Sequence, residues 1–299
     1  MNSHLPRRNF LRNAALAAAA PFVVSPSRAA DTISGIPKLR SVAGTFIGPQ
    51  AWTFNRFTVL EAIEFAGRSG ASIIEWFPGQ KFSKDGGSWG PGATPEMEKM
   101  ALDALQKWNL TPMNFGVTGI PNNETEARKT FDFAKRWGLY GITTESVESV
   151  AILEKLAAEY DIRVCFHNHP RQPNNPNYKV WDPQFILDTC KDRDPRIGAC
   201  ADTGHWIRSG LNALDAVKLL KGRVLSMHLK DRVDEKGEDV PFGTGKASVD
   251  AILTEARSHG FKGNASIEYE TNWDHSITDV AQCVGYVRGL GLARGWDKA

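Results

Sequence analysis

The sequence predicts an α/β protein folded as a (β/α)8 TIM barrel, and three observations predict it. Eight short apolar runs recur along the chain, amphipathic helical stretches alternate with them, and polar groups collect where the runs end. Continuously apolar strands suit a parallel sheet covered on both faces, and parallel neighbours need a crossover helix between them. An open doubly wound sheet would carry a glycine-rich phosphate fingerprint after its first strand, and "GPQAWTFNRF" is no such motif.

Taken in order, the strand runs are "TFIGPQAW" (45–52), "SIIEWF" (72–77), "TPMNFG" (111–116) and "GITTE" (141–145), then "RVCFHNH" (163–169), "IGACADTGH" (197–205), "VLSMHLK" (224–230) and "ASIEYE" (265–270). Between them lie "TVLEAIEFAGRSG", "PEMEKMALDALQKWN", "ETEARKTFDFAKRWG", "SVAILEKLAAEYD", "PQFILDTCKD", "ALDAVKLLKG" and "SVDAILTEARSHG". Several of these end in Gly or Asn, as helix C-termini commonly do. No linker or composition shift divides the chain, so residues 31–299 read as a single catalytic domain. The longest irregular piece, "PGQKFSKDGGSWGPGATPE" (78–96), has the length of a functional flap.

Residues 1–30 read as a leader. Arg7 and Arg8 precede Phe10 and Leu11, a short Ala/Val run follows, and Ala29 and Ala30 offer a small-residue cleavage site. The pattern resembles the twin-arginine signal peptide, which predicts export to the periplasm of an already folded protein and no membrane attachment after removal. A basic amphipathic leader without an export role is the plainer alternative.

Composition narrows the function. The 299 residues are 41% hydrophobic and 23% charged, with a formal net charge of +2 and no basic stripe, so nucleic acid is not an expected partner. A small-molecule substrate and a monomer or homo-oligomer remain. Cys165, Cys190, Cys200 and Cys283 form no CxxC pair, which argues against a thiolate zinc site. Cys165 and Cys200 sit inside apolar runs and read as small core residues.

In a barrel, side chains at the C-terminal ends of the strands converge on one mouth. Those ends carry Glu75, Asn114, Glu145, His167 with His169, Asp202 with His205, His228 with Lys230 and Asp231, and Glu268 with Glu270. Four of the seven histidines fall there, which scatter would not produce. Mixed carboxylates and imidazoles suit one divalent ion of intermediate hardness. Manganese matches the donors best, and zinc, cobalt, iron and magnesium stay open.

"MHLKD", then "VPFGTGKASVDAILTEARSHGFKGNASIEYE", together with "ADTGH", resembles the sugar phosphate isomerase/epimerase family of xylose isomerase-like TIM barrels over residues 45–290. The resemblance implies a metal held by Glu145, Asp202, His228 and Glu268. The tagatose-epimerase-like branch takes its first ligand from the fifth strand, where this chain has His167 in "FHNHP". The inosose-dehydratase-like branch takes it from the fourth, where "GITTES" offers Glu145, and His167 is the substitute.

Each assignment has a plainer rival. His228 and Asp202 could be hydrogen-bonded rim residues; Glu270 a solvated carboxylate; His205 a core histidine; Lys230 a solvated lysine; Glu75 a salt-bridge partner across the mouth. Trp52, Trp76 and Trp206 could stack on a sugar or simply pack the rim. On the functional reading, Glu145, Glu268, His167, His205 and Lys230 are catalytic, and Glu75, Asn114, His169, Trp206 and Glu270 contact substrate. The expected reaction is metal-assisted removal of a proton next to a carbonyl of an unphosphorylated sugar or polyol derivative, as in isomerases and epimerases. The same site would serve a lyase, a dehydratase or a keto-glycoside-cleaving enzyme. An endonuclease IV-like phosphodiesterase would need more histidines and a basic groove; a non-catalytic sugar-binding barrel is the remaining alternative.

Overall fold

Each apolar run becomes a parallel strand of one eight-stranded sheet in the computed structural model, which describes residues 32–298. In chain order the strands are Phe46–Pro49, Ile73–Trp76, Thr111–Phe115, Gly141–Thr144, Arg163–His167, Ile197–Asp202, Val224–Leu229 and Asn264–Ile267. The first pairs with the eighth, the eighth with the seventh, and so on back to the second. Closure between the first and second rests on the Ser72 N–H donating to the Ile47 carbonyl at 2.9 Å and on a parallel bridge between Gln50 and Glu75. This is the expected (β/α)8 barrel. Gly48 permits the closure, because a Cβ there would stand 1.8 Å from the Ile73 carbonyl oxygen.

Helices start where short polar side chains can accept from orphan N–H groups. Thr58 and Glu61 form a capping box for Val59–Arg68, and Asp182 and Asn212 cap Pro183–Cys190 and Ala213–Leu220. Asn109, in left-handed conformation, ends Pro95–Trp108. A helix at Ile277–Ala293 follows the eighth strand and completes the outer layer. Trp76, Trp89, Trp137 and Phe133 form an aromatic cluster between the second strand and its surroundings, with Trp76 and Trp89 ring centroids 4.9 Å apart.

That cluster changes the reading of residues 78–96. They contain an antiparallel hairpin, Lys81–Ser83 with Gly86–Ser88, and both Phe82 and Trp89 are buried beneath it. The segment is therefore docked by two aromatic anchors and not a free flap. The four cysteines are buried and unpaired. No helix among the described residues is long and apolar enough to cross a membrane. The leader lies outside the described residues.

Candidate metal centre at the barrel mouth

Strand ends deliver the polar groups to one place. His167 and Asp202 are the last residues of the fifth and sixth strands, and His228 is the penultimate residue of the seventh. Glu145, Lys230 and Glu268 each follow a strand by one residue. His205 lies on a short helix, Thr203–Arg208, whose first turn is capped by Asp202 Oδ1 accepting from the His205 N–H at 2.7 Å. That cap leaves Asp202 Oδ2 aimed inward.

Two groups of ligand atoms result. One consists of His167, Asp202, His205 and Glu268, whose ligand atoms lie within 4.8 Å of one another. The other consists of Glu145, His167 and His169. His167 stands between them: its Nδ1 is 3.1 Å from Glu145 Oε1, and its Nε2 is 3.5 Å from Asp202 Oδ2. Of the four ligands the resemblance implies, Asp202 and Glu268 fall in the first group and Glu145 in the second. His228 adjoins the first, with Nδ1 3.3 Å from Glu268 Oε2.

Electrostatics explain how so many charges stay buried. Lys230, fully enclosed, places Nζ 2.7 Å from Glu268 Oε2, 3.0 Å from Asp202 Oδ2 and 3.0 Å from Glu270 Oε2. Burial opposes its charged form, but Asp202, Glu268 and Glu270 hold its pKa well above the usual lysine value. Burial likewise works against charge on Asp202, yet His205, Lys230 and His167 keep its carboxyl well below the usual range. The same balance, with Lys230 and His228 opposing burial, lowers Glu268. Burial drives the His205 pKa well below its ordinary value, so its Nε2 faces Lys230 Nζ at 3.2 Å as an acceptor. Against burial, Cys200, Glu75 and Glu268 raise His228, and Asp202 and Glu145 raise His167.

The donor set fits a divalent cation. His167 Nε2 and His228 Nδ1 are buried and make no hydrogen bond among the described residues, and they stand 3.5 and 3.3 Å from Asp202 Oδ2 and Glu268 Oε2, whose charge is met by the Lys230 ammonium. Buried polar atoms left this way are costly unless a partner is supplied. The set's mixture of carboxylate oxygen and imidazole nitrogen suits manganese, iron, cobalt or zinc, with magnesium less well served.

The mouth opens to solvent through a cavity of about 280 Å³ lined by Gln50, Trp52, Phe77, Pro78, Val117, His169, Glu268 and Glu270. Trp52 and Phe77 meet edge-on at 5.1 Å and form the apolar part of this lining. No Lys or Arg lines this cavity among the described residues, although Arg208 approaches Glu270 to 3.9 Å.

Three expected substrate contacts are corrected. Glu75 and Asn114 are fully buried inside the barrel, Glu75 tied to Thr143, His228, Asn264 and Ser266, and Asn114 donating to Thr143. Trp206 belongs to the hydrophobic core, as does Trp76. His169 and Glu270 do line the cavity, and so does Trp52. Asp231 serves the loop that follows: its carboxylate accepts from the Gly243, Gly245 and Ala247 N–H groups at 2.9, 3.0 and 2.8 Å.

Sequence reasoning passes over Gln50 and Tyr178. Gln50 closes the first strand's end, where the strand-end rule could have found it, and its side chain donates to the Gly116 carbonyl at 2.7 Å. Tyr178 lies in the long connection after the fifth strand and donates to Glu145 Oε2 at 2.9 Å; no periodic signal marks it.

Comparison with known proteins agrees with this architecture. A family model described as xylose isomerase-like TIM barrel matches residues 134–285. An uncharacterized protein from Parabacteroides distasonis is 28% identical in its crystal structure, covering 82% of this chain and 99% of its own, with a TM-score of 0.65. The D-allulose 3-epimerase from Methylomonas sp. is 17% identical, covering 85% and 99%, with a TM-score of 0.61. A xylose isomerase-like TIM barrel protein from Mycobacterium smegmatis, solved in complex with magnesium, is 12% identical, covering 80% and 91%, with a TM-score of 0.62. No curated protein matches the chain.

Proposed function

Because the chain belongs to the xylose isomerase-like TIM barrel family, we propose that it is a divalent-metal-dependent isomerase or epimerase that removes a proton next to a carbonyl of an unphosphorylated sugar or polyol derivative. The observation that carries this reading is the convergence of two buried imidazole nitrogens that make no hydrogen bond, His167 Nε2 and His228 Nδ1, on the buried Asp202 and Glu268 carboxylates directly behind a solvent-open cavity. His167, Asp202, His205, His228 and Glu268 are the residues that would hold the ion, with Glu145 adjoining through His167. A bound divalent ion there would supply Lewis-acid polarisation of a carbonyl.

The chain's own groups supply the rest. Glu268 borders both the ligand cluster and the cavity, so its carboxylate is the base best placed to take a proton from a bound carbon. Lys230 holds that carboxylate ionised and steadies it from behind. His169 borders the cavity and contacts Glu145, whose other oxygen is held by Tyr178, so this trio offers a second proton-handling group. Two such groups suit removal and return of a proton at different faces of a carbon. The same second group favours elimination as the alternative outcome, because it could protonate a departing oxygen.

Substrate class follows from the walls. Trp52 and Phe77 suit the apolar face of a sugar ring, while two lining carboxylates, with no Lys or Arg among the described lining residues, disfavour a phosphate. A periplasmic destination through the twin-arginine leader is part of the proposal and agrees with an unphosphorylated substrate. The test is to incubate the metal-loaded protein with aldoses, ketoses and 3-keto-glycosides in D₂O and follow it by NMR. Deuterium entering next to a carbonyl, abolished by chelator, is the expected result. Turnover that persists in chelator would overturn the metal mechanism.

A further inference from the structure

Glu75 has no access to the mouth, and its surroundings give it another task. It lies on the second strand, fully buried, and its two oxygens collect donors from three other strands. Oε1 accepts from Thr143 Oγ1 at 2.8 Å on the fourth strand. Oε2 accepts from Asn264 Nδ2 at 2.9 Å and Ser266 Oγ at 2.6 Å, both on the eighth. His228 Nε2, on the seventh strand, stands 3.1 Å from Oε1.

With three neutral donors already directed at it, the carboxylate is an acceptor at both oxygens, so the His228 contact is an Nε2–H donating to Glu75. With Nε2 committed to Glu75, Nδ1 is the nitrogen that can turn a lone pair to a cation. Nδ1 is the atom without a hydrogen bond, and it faces Glu268 at the ligand cluster. A histidine that gives its second N–H to a carboxylate is fixed in tautomer and ring orientation, and its free nitrogen becomes a better ligand.

We propose that Glu75 is a positioning residue that locks His228 in the Nε2–H tautomer and presents Nδ1 to the cation. Resting on the proposed metal-dependent function, this assigns the carboxylate a role at the ion rather than at the substrate. Thr143, Asn264 and Ser266 fix the carboxylate, the carboxylate fixes the ring, and the ring fixes one ligand atom.

The test compares the wild type with Glu75→Gln. Mn²⁺ is titrated into metal-free samples of each, and long-range ¹H–¹⁵N NMR of histidine-labelled, zinc-loaded protein reads the His228 tautomer. The expected result is Mn²⁺ binding about 10–100-fold weaker in Glu75→Gln, with wild-type His228 carrying its proton on Nε2. Equal Mn²⁺ affinity in a folded Glu75→Gln protein overturns the inference and leaves the functional reading standing. Zinc coordination through Nε2 of wild-type His228 overturns it without recourse to any variant. A wild-type protein that binds no divalent cation removes both the inference and the metal-dependent function.

Discussion

Lys230 Nζ lies 2.7 Å from Glu268 Oε2, so a fully buried ammonium sits against the carboxylate placed to act as base. The same ammonium serves Asp202 at 3.0 Å, and the two acids depend on it for neutralisation. Removing one partner of a buried ionic group strands the other. Lys230→Met is expected to destabilise the metal-free protein by about 3–5 kcal/mol. Added Mn²⁺ should restore much of the loss by supplying replacement charge. Calorimetric melting with and without chelator measures both; unchanged melting in chelator would show that the carboxylates are neutralised otherwise.

The carboxylates also set an acid limit. Asp202, Glu145 and Glu268 are all held below their ordinary values, against burial, by flanking histidines and, for Asp202 and Glu268, by Lys230. A depressed folded-state value contributes stability that is present above the unfolded value and lost as pH falls through the folded one. The metal-free protein should therefore lose melting temperature steadily as the pH falls from ~5 to ~3. Asp202→Asn should show a shallower slope, because one of the three linked groups no longer titrates. Parallel slopes for the two proteins would remove Asp202 from the account.

Trp52 tests the apolar wall. It is 41% exposed and touches Phe77 edge-on, so its removal opens little void in the core. Trp52→Ala should weaken sugar binding about 2–10-fold, the worth of one aromatic contact, with melting nearly unchanged. Titration of a turned-over sugar from the D₂O panel reads the first quantity. A loss confined to turnover, with binding intact, would place the ring elsewhere in the reaction.

Trp89 tests the docked hairpin. It is 1% exposed and packs against Trp76, Phe82, Phe133 and Trp137. Trp89→Ala is expected to cost about 3–5 kcal/mol through the cavity it leaves. Denaturant unfolding measures it, and a change below ~1 kcal/mol would mean that the hairpin is dispensable.

By itself the sequence determined the order of strands, the parallel barrel and which polar side chains stand at the strand ends. Those properties are local or periodic: apolar runs, helical spacing, caps, and the rule that strand ends face one way. His167, Asp202, His228 and Glu268 were legible for that reason. Tertiary structure decided which atoms meet. Glu75 and Asn114 sit at strand ends like the others, yet sheet stagger puts them below the mouth, where Glu75 faces His228 across the barrel. Trp206 follows Asp202 and His205 in sequence, but helix rotation turns it into the core. His167 stands between Glu145 and Asp202 because the fifth strand lies between the fourth and sixth in the sheet. Lys230, indistinguishable from a solvated lysine in sequence, is enclosed by carboxylates from two neighbouring strand ends. Distances across a closed barrel depend on stagger and side-chain reach, and neither is written in any single stretch of chain.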